Sequence, residues 1–334
     1  MVKSIFFLLF ITPLLVFSQE VQDGFADRYI ESMQSKLNVK LELDNDIETF
    51  EFNDGNSSYS VIPNTSLRML IAVNHDFLTL RVGFSPKFLA DDSSAEKGST
   101  KVFKINIDLF FKKWVQTFEV SDIKGYYIDD VSDPSNFNIP ADTEYFTLPH
   151  LKTRTFRGIT RYNFNDNFSF KAIMNQNEIQ RKSAGSFVPS FTYEYFKISD
   201  KTATEELKSV NLILNAGYFY TFVINKKLYA NLGIAPGLGY GLNKLTVEFE
   251  DDKAIERNTE FIFNMNSLIG LGYNSRSFFG GVFLRGIATT HDENSIVNFD
   301  SVRGIVKIFI GYRFGTPKFV NQSFDWVKDK NPIK

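Results

Sequence analysis

The chain has 334 residues, 37 Lys plus Arg against 39 Asp plus Glu for a net charge of −2, and no cysteine. The missing cysteine excludes disulfides, zinc–cysteine sites, iron–sulfur clusters and thiol chemistry, and the balanced charge lacks the basic surplus of a nucleic-acid binder. With 36 Phe and 14 Tyr, the composition favours strands.

Lys3 is the one charged side chain before Glu20, and Ile5 to Phe17 is an apolar run. Val16 and Ser18 stand at the −3 and −1 positions of a cut before Gln19. This is the pattern of a secretory signal peptide, residues 1–18. The run is shorter than the roughly 20 residues of a spanning helix. No later stretch offers about 18 uncharged apolar residues, so if this chain spans a membrane it does so as a β-barrel. Residues 19–36 are expected to form an N-terminal periplasmic segment with helical potential, residues 37–314 the barrel, and residues 315–334 a C-terminal periplasmic tail.

Period-2 alternation then dominates, and alternate side chains of a strand point to opposite faces. Residues 38–53 alternate through Val39, Leu41 and Leu43 and read as a bent strand or a hairpin. Leu78, Leu80, Val82 and Phe84 alternate with Thr79, Arg81 and Gly83, and Phe103 to Phe111 alternates with Lys104, Asn106 and Asp108. Leu212 to Phe222, Leu228 to Tyr240 and Val306 to Phe314 repeat the scheme. Weaker cases run over 65–74, 114–122, 152–163, 168–176, 186–199, 260–274 and 278–290. These make about twelve strands, most long enough for the roughly 9–11 residues that cross a bilayer at a tilt. Aromatics gather at strand ends, as in Tyr162 with Phe164 and Tyr312 with Phe314, where girdles form at membrane interfaces. The expected fold is an all-β antiparallel transmembrane barrel. Leu78, Leu80, Val82, Phe84, Leu232, Ile234, Leu238, Ile308 and Ile310 face lipid. Arg81, Lys104, Asp108, Arg157, Arg161, Lys171, Arg285, Arg303, Lys307 and Arg313 line the lumen.

The connections alternate between tight Asn- and Lys-rich turns, at 74–77, 112–114, 165–167, 225–227 and 274–277, and long charged loops, at 86–101, 122–151, 241–259 and 291–300. Barrels place the short turns in the periplasm. The turns at Asn165 and Asn225 then require an even number of strands between them, yet the alternation gives three. Asn175 to Ser186, polar and atypical, is the segment under suspicion.

Tyr59-Ser-Val-Ile-Pro63-Asn64, Lys97-Gly98-Ser-Thr-Lys101, Lys124-Gly125-Tyr126-Tyr127, Leu148-Pro149-His-Leu-Lys-Thr-Arg154 and Gln180-Arg-Lys-Ser183-Ala-Gly185-Ser186-Phe187 occur in this order. Together they resemble a family of bacterial outer-membrane proteins known as a domain of unknown function, over residues 37–314. The resemblance implies an outer-membrane β-barrel and supplies no catalytic residues.

Catalytic signatures are sparse. The three histidines are His75, His150 and His291, and His291 lies near Asp292, Glu293 and Ser295. Sequence neighbours in a loop rarely hold a base within the roughly 2.6–3.2 Å a nucleophile requires. Glu248-Phe-Glu250-Asp251-Asp252, Asp91-Asp92 and Asp129-Asp130 lack the spacing of a calcium loop and read as acidic surface. Basic lumen residues outnumber acidic ones, and Arg and Lys rings select anions; the same charges can instead pair across a closed lumen. The expected function is a structural or passive-transport barrel of a Gram-negative outer membrane, porin-like, without cofactor or metal. Its expected partners are outer-membrane lipid, the barrel assembly machinery during insertion and a small anionic solute, with no nucleic acid. The alternatives are a lipid-modifying enzyme and a soluble secreted β-protein.

Overall fold

A computed structural model describes residues 28–53, 58–65, 67–84, 96–129, 145–248, 253–292 and 299–330. In these the order is β1 (Ile30–Ser32), β2 (Lys36–Asn53), β3 (Ser58–Ile62), β4 (Arg68–His75), β5 (Leu78–Phe84), β6 (Lys101–Phe111), β7 (Trp114–Asp129), β8 (Phe146–Tyr162), α1 (Phe170–Met174), β9 (Glu178–Gln180), β10 (Ala184–Ser199), β11 (Glu205–Asn225), β12 (Leu228–Glu248), β13 (Lys253–Asn274), β14 (Phe278–His291), β15 (Phe299–Gly315) and α2 (Lys318–Lys330). The expected signal peptide lies outside the described residues.

Antiparallel neighbours run from β2 through β4, β5, β6, β7, β8, β10, β11, β12, β13 and β14 to β15, and β15 pairs back onto β2 from Phe299↔Phe52 to Gly315↔Lys36. The sheet is therefore a closed barrel of twelve strands, with β3 as an extra strand. One end carries the turns at 76–77, 112–113, 226–227 and 275–277, both ends of the described chain and α1; the strand ends flanking the remaining connections, apart from 63–67 between β3 and β4, lie at the other end. The backbone is left-handed at the first residue of the two-residue turns, Asp76, Lys112 and Lys226.

The wall is inverted relative to a soluble protein. Leu80, Val82, Leu232, Ile234, Leu238, Ile308 and Ile310 all point outward and are 43–54% exposed. Glu42, Asp44, Arg68, Asp108 and Arg303 are buried inside. A water-soluble sandwich or barrel would bury the first set and solvate the second; a membrane barrel does the reverse. Leu78 shares the outward face, opposite Leu109, and is partly covered. The Phe84 side chain lies outside the described residues. Around the turn end Trp114, Tyr162, Phe164 and Phe187 form a connected run, with centroids 4.8, 4.8 and 5.6 Å apart, and Tyr312–Phe314 form a separate pair at 4.9 Å. Ile234→Arg, at mid-belt, is expected to destabilise the barrel by about 2–4 kcal/mol in lipid vesicles, read as a lower urea midpoint.

Alternation found twelve strands with one wrong member. Residues 168–176 are not a strand: α1 starts at Phe170, with the Ser169 side chain accepting from Ala172 N as N-cap at 2.8 Å. The twelfth strand is instead β2, one continuous strand of 18 residues. With α1 inside the barrel, β10 and β11 are the two strands between the turns at Asn165 and Asn225, so both turns lie at one end. The N-terminal segment, as far as it is described, is not helical: β1 pairs with β9 as a two-stranded sheet. The expected loops over 122–151 and 241–259 are shorter than the charge pattern suggests, because β7, β8, β12 and β13 extend into them. Charged side chains are tolerated there since the strands outrun the apolar belt. The tail contains α2, whose Phe324 packs edge-on against His75 at 4.7 Å.

β3 and β4 form one descending segment interrupted at 63–67. β3 pairs with β2 and β7 near the loop end, whereas β4 pairs with β2 and β5 near the turn end. β7 changes neighbour from β6 to β3 at Gly125, where its register with β8 also shifts. Gly125 has φ of +93°, and a Cβ there would collide with the Ser99 carbonyl. Asn64 Nδ2 donates to Gly98 O at 2.6 Å, and Thr100 Oγ1 donates to Gly125 O at 2.6 Å. Three of the phrases behind the family resemblance thus meet at this one junction.

Candidate functional site

The segment between β8 and β10 folds into the turn end of the barrel and packs against the wall there as a plug. Its apolar side has a physical reason. At that level the wall turns Phe110, Val115, Ala184 and Val188 inward, and Phe168, Phe170 and Ile173 pack against them. Its polar side is fastened by wall side chains that reach plug backbone and plug side chains. Arg81 Nη2 donates to Met174 O at 3.0 Å, Asn74 Nδ2 to Asn175 O at 3.2 Å, and Asn274 Nδ2 to Glu178 O at 3.1 Å. Arg313 donates to Gln176 O and Ser275 O, and Asn38 to Asn177 Oδ1. Gln176 accepts from Lys40 Nζ at 3.0 Å and donates to Ile173 O at 2.9 Å, with its own backbone left-handed at φ +57°. The bonds to Met174 O, Asn175 O, Gln176 O and Glu178 O satisfy backbone carbonyls of the plug, as buried backbone groups require.

Above the plug lies a cavity of about 260 Å³. Nine basic and six acidic side chains line it. Seven of the basic ones are paired. Asp46 accepts from Arg303 Nε at 2.7 Å, Lys104 Nζ at 2.6 Å and Arg68 Nη2 at 3.1 Å. Glu119 accepts from Arg303 Nη1 at 2.9 Å and Arg157 Nη1 at 3.2 Å, and Arg157 also pairs with Glu194. Glu42, just beneath the cavity, accepts from Lys40 and Lys307 at 2.7 Å each and stands 3.5 Å from Arg81, which also pairs with Asp108. Arg161 and Arg285 have no carboxylate within 4 Å among the described residues.

Eight of the ten side chains expected at the lumen line this cavity: Arg81, Lys104, Asp108, Arg157, Arg161, Arg285, Arg303 and Lys307. Arg313 sits lower and clamps the plug. Lys171 is not on a wall strand; it belongs to α1, 3.6 Å from Glu178. The central carboxylates Glu42, Asp46 and Glu119 escape the sequence reading. A signal for two of them exists: along β2 every inward position from Lys40 to Glu48 is charged.

His291 is the last residue of β14 and not part of a loop; its ring is buried in the lumen, 3.4 Å from Glu260. Ser295 lies outside the described residues. His150 is within β8, and His75 ends β4. No group of three metal-ligating side chains occurs among the described residues. Asp91, Asp92 and residues 249–252 lie outside them.

The sequence model of a family described as Domain of unknown function (DUF4421) matches residues 22–314. The chain belongs to this family. The match spans the barrel, the plug and all five phrases noted in the sequence. No curated protein sequence matches the chain. Among solved structures, it is similar to the outer membrane protease OmpT of Escherichia coli at 6% identity, covering 85% of this chain and 98% of that one with a TM-score of 0.38. It is similar to the in-vitro folded outer membrane protein OmpT of Vibrio cholerae at 8% identity, over 89% and 100% of the two chains, TM-score 0.33. The toluene transporter TodX of P. putida follows at 7% identity, over 84% and 90%, TM-score 0.28. Likenesses this loose carry no argument about the chemistry of the lumen.

Proposed function

We propose that the protein is a barrel of a Gram-negative outer membrane whose lumen is a gated passive path for small anionic solutes, shut at its periplasmic side by the plug. The observation that carries this reading is the fastened plug beneath a cavity with a cationic surplus. Outer-membrane barrels turn their short connections toward the periplasm, which puts α1 and both described chain ends on that side. Lipid meets the outward belt, and the barrel assembly machinery inserts the chain. A lumen lined by more Arg and Lys than Asp and Glu favours anions. The lipid-modifying alternative gains nothing from His291, whose ring faces the lumen and not the lipid.

Cell fractionation is expected to recover the protein with the outer membrane, released by detergent alone; recovery in the soluble fraction overturns the reading. In planar bilayers the intact protein is expected to stay closed for most of a record. Arg313→Gln, which removes contacts to Gln176 and Ser275, is expected to raise the frequency of openings several-fold, with a reversal potential on the anion side. An unchanged record, or cation preference, counts against the path.

A further inference from the structure

The two unpaired arginines share one cavity. Arg161 rises from β8 and is buried; its Nη1 donates to Thr117 Oγ1 at 2.9 Å, and it reaches Asp108 only through that hydroxyl, which itself donates to Asp108 at 2.8 Å. Asp108 is already occupied by Arg81. Arg285 projects from β14 on a distant part of the wall, and its one hydrogen bond among the described residues is a long one, Nη2 to Asn266 Oδ1 at 3.5 Å. Arg285 is within electrostatic reach of Arg161, and also of Arg303, Arg157 and Glu119, none of which it contacts in an ion pair. Like charges that face one buried cavity are costly unless an anion joins them.

The space between them is not uniformly polar. The Arg161 guanidinium stands 5.8 Å above the Phe170 ring. Phe170 meets Phe219 edge-on at 5.3 Å. Phe219 leans over Gly233, where any Cβ would strike its ring, and so reaches toward Leu268, the partner of Arg285 across the β13–β14 pair. An apolar floor therefore runs from one arginine to the other.

We propose that this cavity is a binding site for a small organic anion, its carboxylate or phosphate held between Arg161 and Arg285 and its apolar body laid on Phe170 and Phe219. The inference rests on the solute path proposed above and names the ligand class for it. A guanidinium fork suits planar, bidentate recognition of such oxygens, and aromatic faces suit a flat apolar body. An inorganic ion would leave the floor uncovered, and a neutral aromatic would leave both charges unmet.

The test is calorimetric titration of the full chain in detergent micelles with phenyl phosphate, inorganic phosphate and benzyl alcohol. Phenyl phosphate is expected to bind one per barrel, at least ten-fold tighter than either of the others. Arg161→Gln and Arg285→Gln are each expected to weaken it at least ten-fold while keeping the heat-modifiable gel migration of a folded barrel. Arg154→Gln, on the outer face, is expected to leave it unchanged. Equal affinity for phenyl phosphate and benzyl alcohol on the unaltered protein overturns the site without recourse to any variant. So does undiminished binding by a folded Arg161→Gln/Arg285→Gln double variant. Binding without conductance, even after the plug is loosened, would sink the path and keep the site; conductance without binding would do the opposite.

Discussion

Excising residues 168–180 and joining Asn167 to Arg181 through a short Gly-Ser linker is expected to convert a closed barrel into a steadily conducting pore with anion preference. The barrel ladder does not depend on the excised segment: β8 pairs with β10 from Arg161↔Ser190 to Lys152↔Ser199, above the plug. What is lost is the pairing of β9 with β1, the bonds from Asn74, Arg81, Asn274 and Arg313 to the plug, and the burial of Phe168, Phe170 and Ile173, each contributing about 1.5–3 kcal/mol. The excised barrel is therefore expected to unfold at lower urea while remaining a barrel. Its lumen keeps nine basic and six acidic lining groups, so the reversal potential in a salt gradient is expected to move toward that of the anion. Planar-bilayer recording decides the matter. Persistent silence would mean that the loop end is shut as well, and the plug would then be a brace with no gating role.

Glu42→Gln is expected to cost about 3–5 kcal/mol, the price of breaking a buried ion pair from one side. Glu42 is 0% exposed and faces Lys40, Lys307 and Arg81. The amide keeps the shape and removes the charge, leaving two lysines with no carboxylate while Arg81 retains Asp108. Urea unfolding in vesicles measures the loss. Lys307→Met on the Glu42→Gln background is expected to restore part of it, since one stranded charge goes with the side chain. The outward-facing, part-exposed cluster of Asp122 with Lys152 and Arg154 supplies the contrast: Asp122→Asn is expected to change stability by no more than about 1 kcal/mol.

How far the molecule could be read in advance follows from which force organises each part. The wall was legible because lipid on one side and charge on the other impose a period of two on every strand. Ile234 and Ile308 needed no coordinates to be placed outside, nor Arg157 and Lys307 inside. The plug was not legible by that rule. Phe168, Phe170 and Ile173 are spaced like strand or short-helix residues alike, and a helix of five residues carries too little pattern to decide. The strand-count conflict between Asn165 and Asn225 was the signal that something there was not wall. β2 failed for a different reason: its loop-end half carries alternating charge with little grease opposite, as at Asn45 and Thr49, because that half stands near the rim. Pairing was beyond sequence altogether. Nothing in Arg161 or Arg285 distinguishes them from Arg303 until the carboxylates around each are located.

The substitution of β3 for β4, β5 and β6 near the loop end has a geometric corollary. There the circumference is made of ten strands among the described residues, against twelve below. Diameter grows roughly in proportion to strand number, so the described wall is expected to be about one-sixth narrower at the loop end than at the turn end. In the orientation proposed above, a solute entering the path meets this ten-strand ring before it meets the charges of the chamber.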